Sequence, residues 1–273
     1  MSENSLQQAS IHKWLQETTA QLPSTSPRLD ALLMLSDTLH RDKAWLLSHT
    51  DELLDPSDLA KLSAMVNRRL SHEPMAYIRG KQAFYGREFV VSPAVLIPRP
   101  ETETLIEELL KLPFPKSIHL LDVGTGSGSI AISASLARPN WNVTASDISN
   151  EALAIAQKNA QIHQAHITFI QSDLLEAFLG SFDCIIANLP YVAPNWEHSP
   201  EIDFEPEQAI FAANAGLFLI DKLLADAPLR LVTGGYVILE ADPRQHAHIV
   251  AHAQNQNFRK VAIHDFIVVL QKL

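Results

Sequence analysis

Ile118-His119-Leu120-Leu121-Asp122-Val123-Gly124-Thr125-Gly126-Ser127-Gly128-Ser129 is an apolar run that ends on three glycines spaced two apart, and a helical pattern from Ser129 to Ala137 comes directly after it. A strand that breaks into a glycine turn and re-enters as a helix is one half of a strand-helix-strand unit. The alternation continues downstream. Strands are expected at Ile118 to Val123, Asn142 to Ser146, Ile167 to Ile170, Cys184 to Ala187, Tyr236 to Glu240, Lys260 to Ile263 and Ile267 to Leu270. Helical patterns at Ser129 to Ala137, Asn150 to His163, Gly216 to Leu224 and Arg244 to Gln254 fill most gaps. This predicts an α/β fold, a doubly wound, mostly parallel sheet with helices on both faces. Ligands of such sheets sit beyond the carboxyl ends of the strands, where Gly124, Asp147, Asp173 and Asn188 all fall.

Organisation changes near residue 80. Before it lie the helical patterns Leu6 to Leu22, Leu29 to His40, Ala44 to His49 and Ser57 to Leu70, which predict a small bundle. The last is the best marked, because Asp55-Pro56-Ser57-Asp58 offers an N-cap, a proline at the first helical position and an acid in the first turn. Leu59, Leu62, Met65, Val66 and Leu70 then share one face, and Trp14 and Trp45 are expected to anchor the bundle core. Aromatic and β-branched residues around Gly86 fit a hairpin, and Pro93, Pro98 and Pro100 punctuate the stretch after it. The expected domains are 1–80, a helical bundle; 81–100, hairpin and linker; and 101–273, the α/β domain.

A chain of 273 residues, 47% of them apolar, can bury a substantial core. No apolar run is long enough to span a membrane and Met1-Ser2-Glu3-Asn4-Ser5 lacks the pattern of a signal peptide, so a cytoplasmic protein is expected. The single cysteine, Cys184, excludes an internal disulfide and sits where a buried small hydrophobe belongs. The net charge is -10, and Lys+Arg against Asp+Glu is 8 to 10 in residues 1–80 and 13 to 21 in the remainder. Neither part offers the basic surface that nucleic-acid binding requires.

The glycines follow G-x-G-x-G rather than the dinucleotide G-x-G-x-x-G, and alone they need be no more than a tight turn. Asp147 stands where an acid bonds ribose hydroxyls, although acids at strand ends also cap helices. Asp173 is ambiguous in the same way. Asn188-Leu189-Pro190-Tyr191 closes the apolar run ending at Ala187, and Asn-x-Pro alone marks many turns. Taken in order, glycine loop, acid, acid and Asn-x-Pro-Tyr point to S-adenosylmethionine rather than NAD, and to methylation of a planar nitrogen. The lone pair of such a nitrogen is delocalised, so paired acceptors must hold its hydrogens; the Asn188 side-chain oxygen and a nearby main-chain carbonyl suit that task.

Along nearly its whole length the chain resembles the PrmC/HemK family of peptide chain release factor glutamine methyltransferases. The resemblance is carried by Glu73-Pro74-Met75-Ala76-Tyr77-Ile78-Arg79-Gly80, Phe84-Tyr85-Gly86, Val91-Ser92-Pro93 and Leu96-Ile97-Pro98-Arg99-Pro100-Glu101-Thr102-Glu103, then the glycine loop, Gln171-Ser172-Asp173, the Asn188 motif and Phe204-Glu205-Pro206 before Ala209. It implies a seven-stranded S-adenosylmethionine-dependent methyltransferase fold with an N-terminal helical domain that helps to hold a release factor. It further implies that Gly124, Thr125, Gly126, Ser127 and Gly128 face the methionine part of the donor, that Asp147 bonds its ribose, and that Asp173 and Leu174 lie by the adenine. Asn188, Leu189, Pro190 and Tyr191 would hold the glutamine of a release factor's Gly-Gly-Gln motif, with the carbonyl after Asn188 as second acceptor and Tyr191 packing on the amide plane.

Two departures from the family pattern stand in the chain. Leu189 replaces the usual first proline of Asn-Pro-Pro-Tyr; its carbonyl serves equally, and Pro190 holds it extended. The last hairpin is short, His264-Asp265-Phe266 passing directly into Ile267. Glu197, Glu201, Asp203 and Glu205 read as a solvated loop. His246, His248 and His252, at offsets of two and six, do not put three ligands on one helix face, so no metal is expected. An adenine-N6 methyltransferase on DNA or RNA would use the same Asn-x-Pro-Tyr device, and a non-catalytic binder of cofactor or translation factor is a further alternative.

Overall fold

The computed structural model describes residues 9–273. The first residues of the expected Leu6 to Leu22 helix and the stretch Met1 to Ser5 lie outside them. The chain divides into two compact units, Met1–Gly80 and Lys81–Leu273.

The first unit holds helices α1 (Ile11–Gln21), α2 (Pro27–Leu39), α3 (Lys43–Ser48), α4 (Pro56–Leu70) and α5 (Met75–Arg79). The Ser10 side chain caps α1, and the Asp42 carboxylate accepts the Trp45 N–H at 2.7 Å to cap α3. Pro56 opens α4 as its sequence predicts, while Asp55 holds the N-cap position without a side-chain hydrogen bond. Leu62 and Val66 of α4 join Trp14, Met34 and Leu35 in one apolar core, with Leu59 and Met65 partly buried against it. Leu70 departs from expectation: it ends the helix and is exposed. Trp14 is buried, whereas Trp45 lies at the core's edge and stacks on His49 at 4.2 Å. The sequence pattern does not show α5, a five-residue turn closed by Gly80 at φ 72°.

The second unit opens with strands β1 (Lys81–Phe84) and β2 (Arg87–Val90), joined by Tyr85 and Gly86 at φ 47° and 73°. Positive φ at both central residues is the two-residue turn that matches strand twist, and Gly86 supplies it without strain. Phe84, Phe89, Val95 and Ile97 are buried, so the stretch expected as hairpin and linker is folded into this unit.

Then come α6 (Glu103–Lys111), β3 (His119–Val123), α7 (Ser129–Ala137), β4 (Asn142–Asp147), α8 (Asn150–His163), β5 (Ile167–Gln171), β6 (Phe182–Ala187), α9 (Glu207–Ile210), α10 (Phe218–Asp226), β7 (Leu231–Glu240), α11 (His246–Asn255), β8 (Phe258–His264) and β9 (Ile267–Lys272). Seven strands form one sheet in the order β5-β4-β3-β6-β7-β9-β8. The five from β5 to β7 are parallel, and β9 and β8 add antiparallel pairings. Alternate residues enter separate cores on the two faces: Leu121 and Ile185 on one, Leu120 and Ile186 on the other. All seven expected strands are present. Three starts, β3, β6 and β8, differ from expectation by one or two residues, and β7 begins five residues earlier than Tyr236, because Gly234 and Gly235 read as a break. In the fold they are a bulge, where a Cβ on Gly235 would lie 3.0 Å from the Asp183 carbonyl.

Candidate active site

The chain runs β3, β4, β5 to one side and then β6, β7 to the other, so a crevice opens beyond the carboxyl ends of the adjacent strands β3 and β6. A cavity of about 250 Å³ occupies it. Gly124, Thr125, Gly126, Ser127, Asp147, Asp173, Leu174, Asn188, Leu189 and Pro190 line it. Two residues expected at the site do not. Gly128 turns away to pack on α8, where an added Cβ would meet Ala156 at 3.1 Å, and Tyr191 lies behind the wall.

The glycine loop is held from below. Gly124 and Thr125 donate to the Ser146 carbonyl at 2.9 and 2.8 Å. Gly124 and Gly126 have φ of 73° and 54°, and a Cβ on Gly126 would meet open space, so the loop presents bare backbone to the cavity. Asp147 binds the loop as well as facing the cavity: it accepts the N–H groups of Gly126 and Ser149, both at 2.9 Å. Burial raises its pKa, and those N–H groups pull it back. A carboxylate has lone pairs beyond these two bonds, so it can still accept hydroxyls. Asp173 pairs with Lys222 at 3.0 Å.

Asp122, quoted in the loop motif but assigned no role there, is completely buried. Its Oδ2 accepts the Thr125 hydroxyl at 2.7 Å and the Ala131 N–H at 3.2 Å, tying the loop to the first turns of α7. Burial pushes its carboxyl up to about 7.

On the other wall the Asn188 Nδ2 donates to the Thr102 hydroxyl at 3.1 Å. No described residue donates to its Oδ1. The Leu189 side chain is buried against the loop, 3.1 Å from where a Gly124 Cβ would stand. The substitution of leucine for proline thus adds packing between the two walls. The Tyr191 hydroxyl donates to Glu240 at 3.1 Å, and burial beside that carboxylate pushes its pKa well above the ordinary value.

The run Ile97 to Glu103 now acquires physical meaning. Thr102 meets Asn188, the Ile97 N–H bonds Glu205 at 2.9 Å, Arg99 pairs with Glu205, and Glu103 accepts the Tyr85 N–H at 2.8 Å. It braces the wall that carries Asn188. Glu205 therefore corrects the expectation of a solvated loop: Glu197 and Asp203 are exposed, but Glu205 is 6% exposed because it bonds this run. The histidines need a second correction. His246 is buried and bonds the Ala241 carbonyl, yet His248 and His252 are themselves four apart, and Asp221 of α10 joins them in a cluster outside the cavity lining. Cys184 is fully buried, and burial raises its thiol pKa. No described helix is long and apolar enough to cross a membrane.

Comparison with known proteins agrees with this geometry. A family model described as PrmC N-terminal domain matches residues 13–80, and one described as methyltransferase small domain matches residues 100–202. Curated relatives named release factor glutamine methyltransferase include one from Koribacter versatilis, 44% identical, the match covering 80% of this chain and 82% of the relative. Another from Coxiella burnetii is 37% identical with 87% of each covered, and one from Escherichia coli is 35% identical with 92% and 91% covered. Among solved structures, a methyltransferase from Pyrococcus furiosus aligns with TM-score 0.54 at 17% identity, over 80% of this chain and 99% of that one. The Thermus thermophilus 16S rRNA N2 G1207 methyltransferase, solved with AdoMet and guanosine, aligns with TM-score 0.53 at 19% identity, over 70% and 49%. These two likenesses show the shared fold.

Proposed function

We propose, from the premise that the chain belongs to the family of release factor glutamine methyltransferases, that it transfers a methyl group from S-adenosylmethionine to the side-chain nitrogen of the glutamine in a release factor's Gly-Gly-Gln motif. It is a protein-glutamine N5-methyltransferase of translation termination. The observation that carries the reading is the meeting, at one crevice, of a bare glycine loop and an asparagine with its amide oxygen uncommitted.

The cavity fits the donor. A loop whose Gly124 and Gly126 carry no side chains admits the methionine part beside Gly124 to Ser127, Asp147 accepts ribose hydroxyls, and Leu174 with Asp173 receives the adenine. When bound, S-adenosylmethionine supplies an electrophilic methyl group on a sulfonium. This chain's residues do the rest. The Asn188 Oδ1 and the Leu189 carbonyl accept the two amide hydrogens, which fixes the plane of the glutamine amide and turns the nitrogen toward the crevice. Tyr191 supports that wall from behind. Holding the reacting atoms about 3–3.5 Å apart supplies most of the acceleration. Methylation leaves the amide nitrogen positively charged with both its hydrogens, and that cationic nitrogen is strongly acidic, so one proton leaves to water without a dedicated base.

One glutamine gives a pocket too little contact to select a whole protein, since specific interfaces bury about 1,600 Å² in total. Residues 1–80 supply the additional docking surface, and the reaction takes place in the cytoplasm, where translation ends. With a net charge of -10, nucleic acid is not a partner.

The test offers release factor, DNA and RNA side by side to the purified protein with labelled donor. Label appearing on the release factor, and lost when its motif glutamine is replaced, supports the reading. Label on DNA or RNA alone would assign the adenine alternative, and no label on any of the three would leave a binding protein.

A further inference from the structure

Glu240 ends β7, and the sheet register pairs Ala187 with Leu239. Asn188 follows the end of β6 and Glu240 is the last residue of β7, so the two stand one step further along neighbouring strands. The Glu240 carboxylate is 2% exposed, and among the described residues no cation pairs with it. Its Oε1 accepts the Tyr191 hydroxyl at 3.1 Å, and its Oε2 is buried without a hydrogen-bond partner. Burial raises its pKa; the Thr102 and Tyr191 hydroxyls pull it back down, Glu101 pushes it up, and the Asn188 amide again lowers it. A buried carboxylate facing two hydroxyls, an amide and another acid is costly to keep. Packing does not account for it, because an apolar side chain would fill the space without that cost.

Resting on the methyl-transfer reading above, we infer that Glu240 is a positioning residue which decides the end of the Asn188 amide presented to the acceptor nitrogen. The two ends of an amide have almost the same shape and are told apart only by their hydrogen-bond partners. Asn188 bonds the Thr102 hydroxyl, which can donate or accept and so cannot by itself choose. As a carboxylate, Glu240 can only accept. Its Oε2, buried without a partner on the strand beside Asn188, attracts the Nδ2 end of that amide and repels the Oδ1 end, so Nδ2 stays on the Thr102 side and Oδ1 faces the crevice. With Oδ1 outward the site accepts hydrogens from a substrate amide; with Nδ2 outward it would repel them. Tyr191, donating to the same carboxylate, holds it in place.

Glu240→Gln tests this with little change of shape, since its amide can donate as well as accept and removes the bias. In methyl transfer to release factor, kcat should fall at least about tenfold, with donor affinity and melting temperature retained. On an Asn188→Ala background the same substitution should change nothing further, whereas a merely structural Glu240 would cost as much there as in the wild type. Thr102→Val, which removes the neutral partner of Nδ2 and leaves the carboxylate that makes the choice, should lower kcat less than Glu240→Gln does. A second readout needs no activity: the Asn188 side-chain amide protons should show nuclear Overhauser contacts to Thr102 in the wild type and lose part of them in Glu240→Gln. Unchanged kcat, an equal loss on the Asn188→Ala background, or unchanged contacts would overturn the inference. A wild type that transfers no methyl while the contacts shift as expected would overturn the proposed function and leave the role of Glu240 in orienting Asn188 standing.

Discussion

Arg99 and Glu205, 106 residues apart in the chain, form an ion pair in which the carboxylate is buried and the guanidinium reaches solvent. The same carboxylate holds the Ile97 N–H, so one acid fixes two points just ahead of Thr102, which meets Asn188. Its pKa is raised by burial and drawn down by Arg99. Removing the arginine leaves a buried charge with only a backbone partner. Arg99→Ala should therefore destabilise the protein by about 1–3 kcal/mol, less than a fully buried pair because the Arg99 side chain is 38% exposed. Adding Glu205→Gln should recover part of that loss. Urea unfolding of the single and double variants checks this, and strictly additive losses would count against the pairing.

On the proposed mechanism, Asn188→Ala removes an acceptor from the substrate amide and nothing that Asp147 or the glycine loop uses. Methyl transfer should drop about 10²–10³-fold, the scale of deleting one preorganised polar group at a reacting centre. Donor affinity, measured by calorimetry, should stay within a few-fold of the wild type. Near-normal turnover would remove Asn188 from the mechanism.

Asp147→Ala acts on the donor. It deletes the acceptor expected for the ribose and also frees the Gly126 N–H, so donor binding should weaken by about 1.5–3 kcal/mol. Asp147→Asn, which keeps one acceptor oxygen, should fall between alanine and the wild type. Calorimetric titration with donor decides the order, and equal affinities across the three proteins would exclude the role.

Asp122 makes stability depend on pH. Its carboxyl is raised from 3.8 to about 7 by burial. Between those values the folded protein holds a proton that the unfolded chain has lost. The contribution of Asp122 is thus fully present below the unfolded value and declines as pH rises through about 7, by at most ~4 kcal/mol. Asp122→Asn cannot ionise and should gain stability relative to the wild type between about pH 5 and pH 8. Urea unfolding at both pH values measures the gap; a gap that does not move with pH would show that Asp122 is ionised throughout.

The bundle can be removed at a boundary that the hairpin dictates. A fragment beginning near Phe84 would cut through β1, whereas one from Lys81 keeps the whole β1-β2 pair. That fragment should bind donor, and its KM for intact release factor should rise far more than its KM for a short glutamine peptide. Equal efficiency with the intact factor would make residues 1–80 a stability element rather than a docking surface.

The strand pattern of the second unit is legible because strands buried on both faces read as apolar runs closed by turn residues, and Leu120-Leu121 or Ile185-Ile186 admit little else. Helix α6 is not, because its apolar residues, Leu105, Ile106 and Leu109, come directly after the proline-rich Leu96 to Pro100 and merge with an expected linker. Glu205 and Glu240 are not legible as partners of the site. Sequence spacing shows neither the 106-residue return to Arg99 nor the strand neighbour that puts Glu240 beside Asn188. The pairing of His248 with His252 is available at four-residue spacing; counting from His246 hides it.

The strand order also divides the labour of evolution. Everything assigned to grip the donor, from Gly124 through Asp147 to Leu174, hangs from β3, β4 and β5, while Asn188, Tyr191 and Glu240 hang from β6 and β7 on the opposite side. The contact of Leu189 with the Gly124 turn crosses between them. Mutations drifting through the β6-β7 side of the sheet can reshape the pocket for a new acceptor group, while the β3-β4-β5 side keeps the same methyl source. A lineage can therefore change what it modifies without relearning how to hold its reagent.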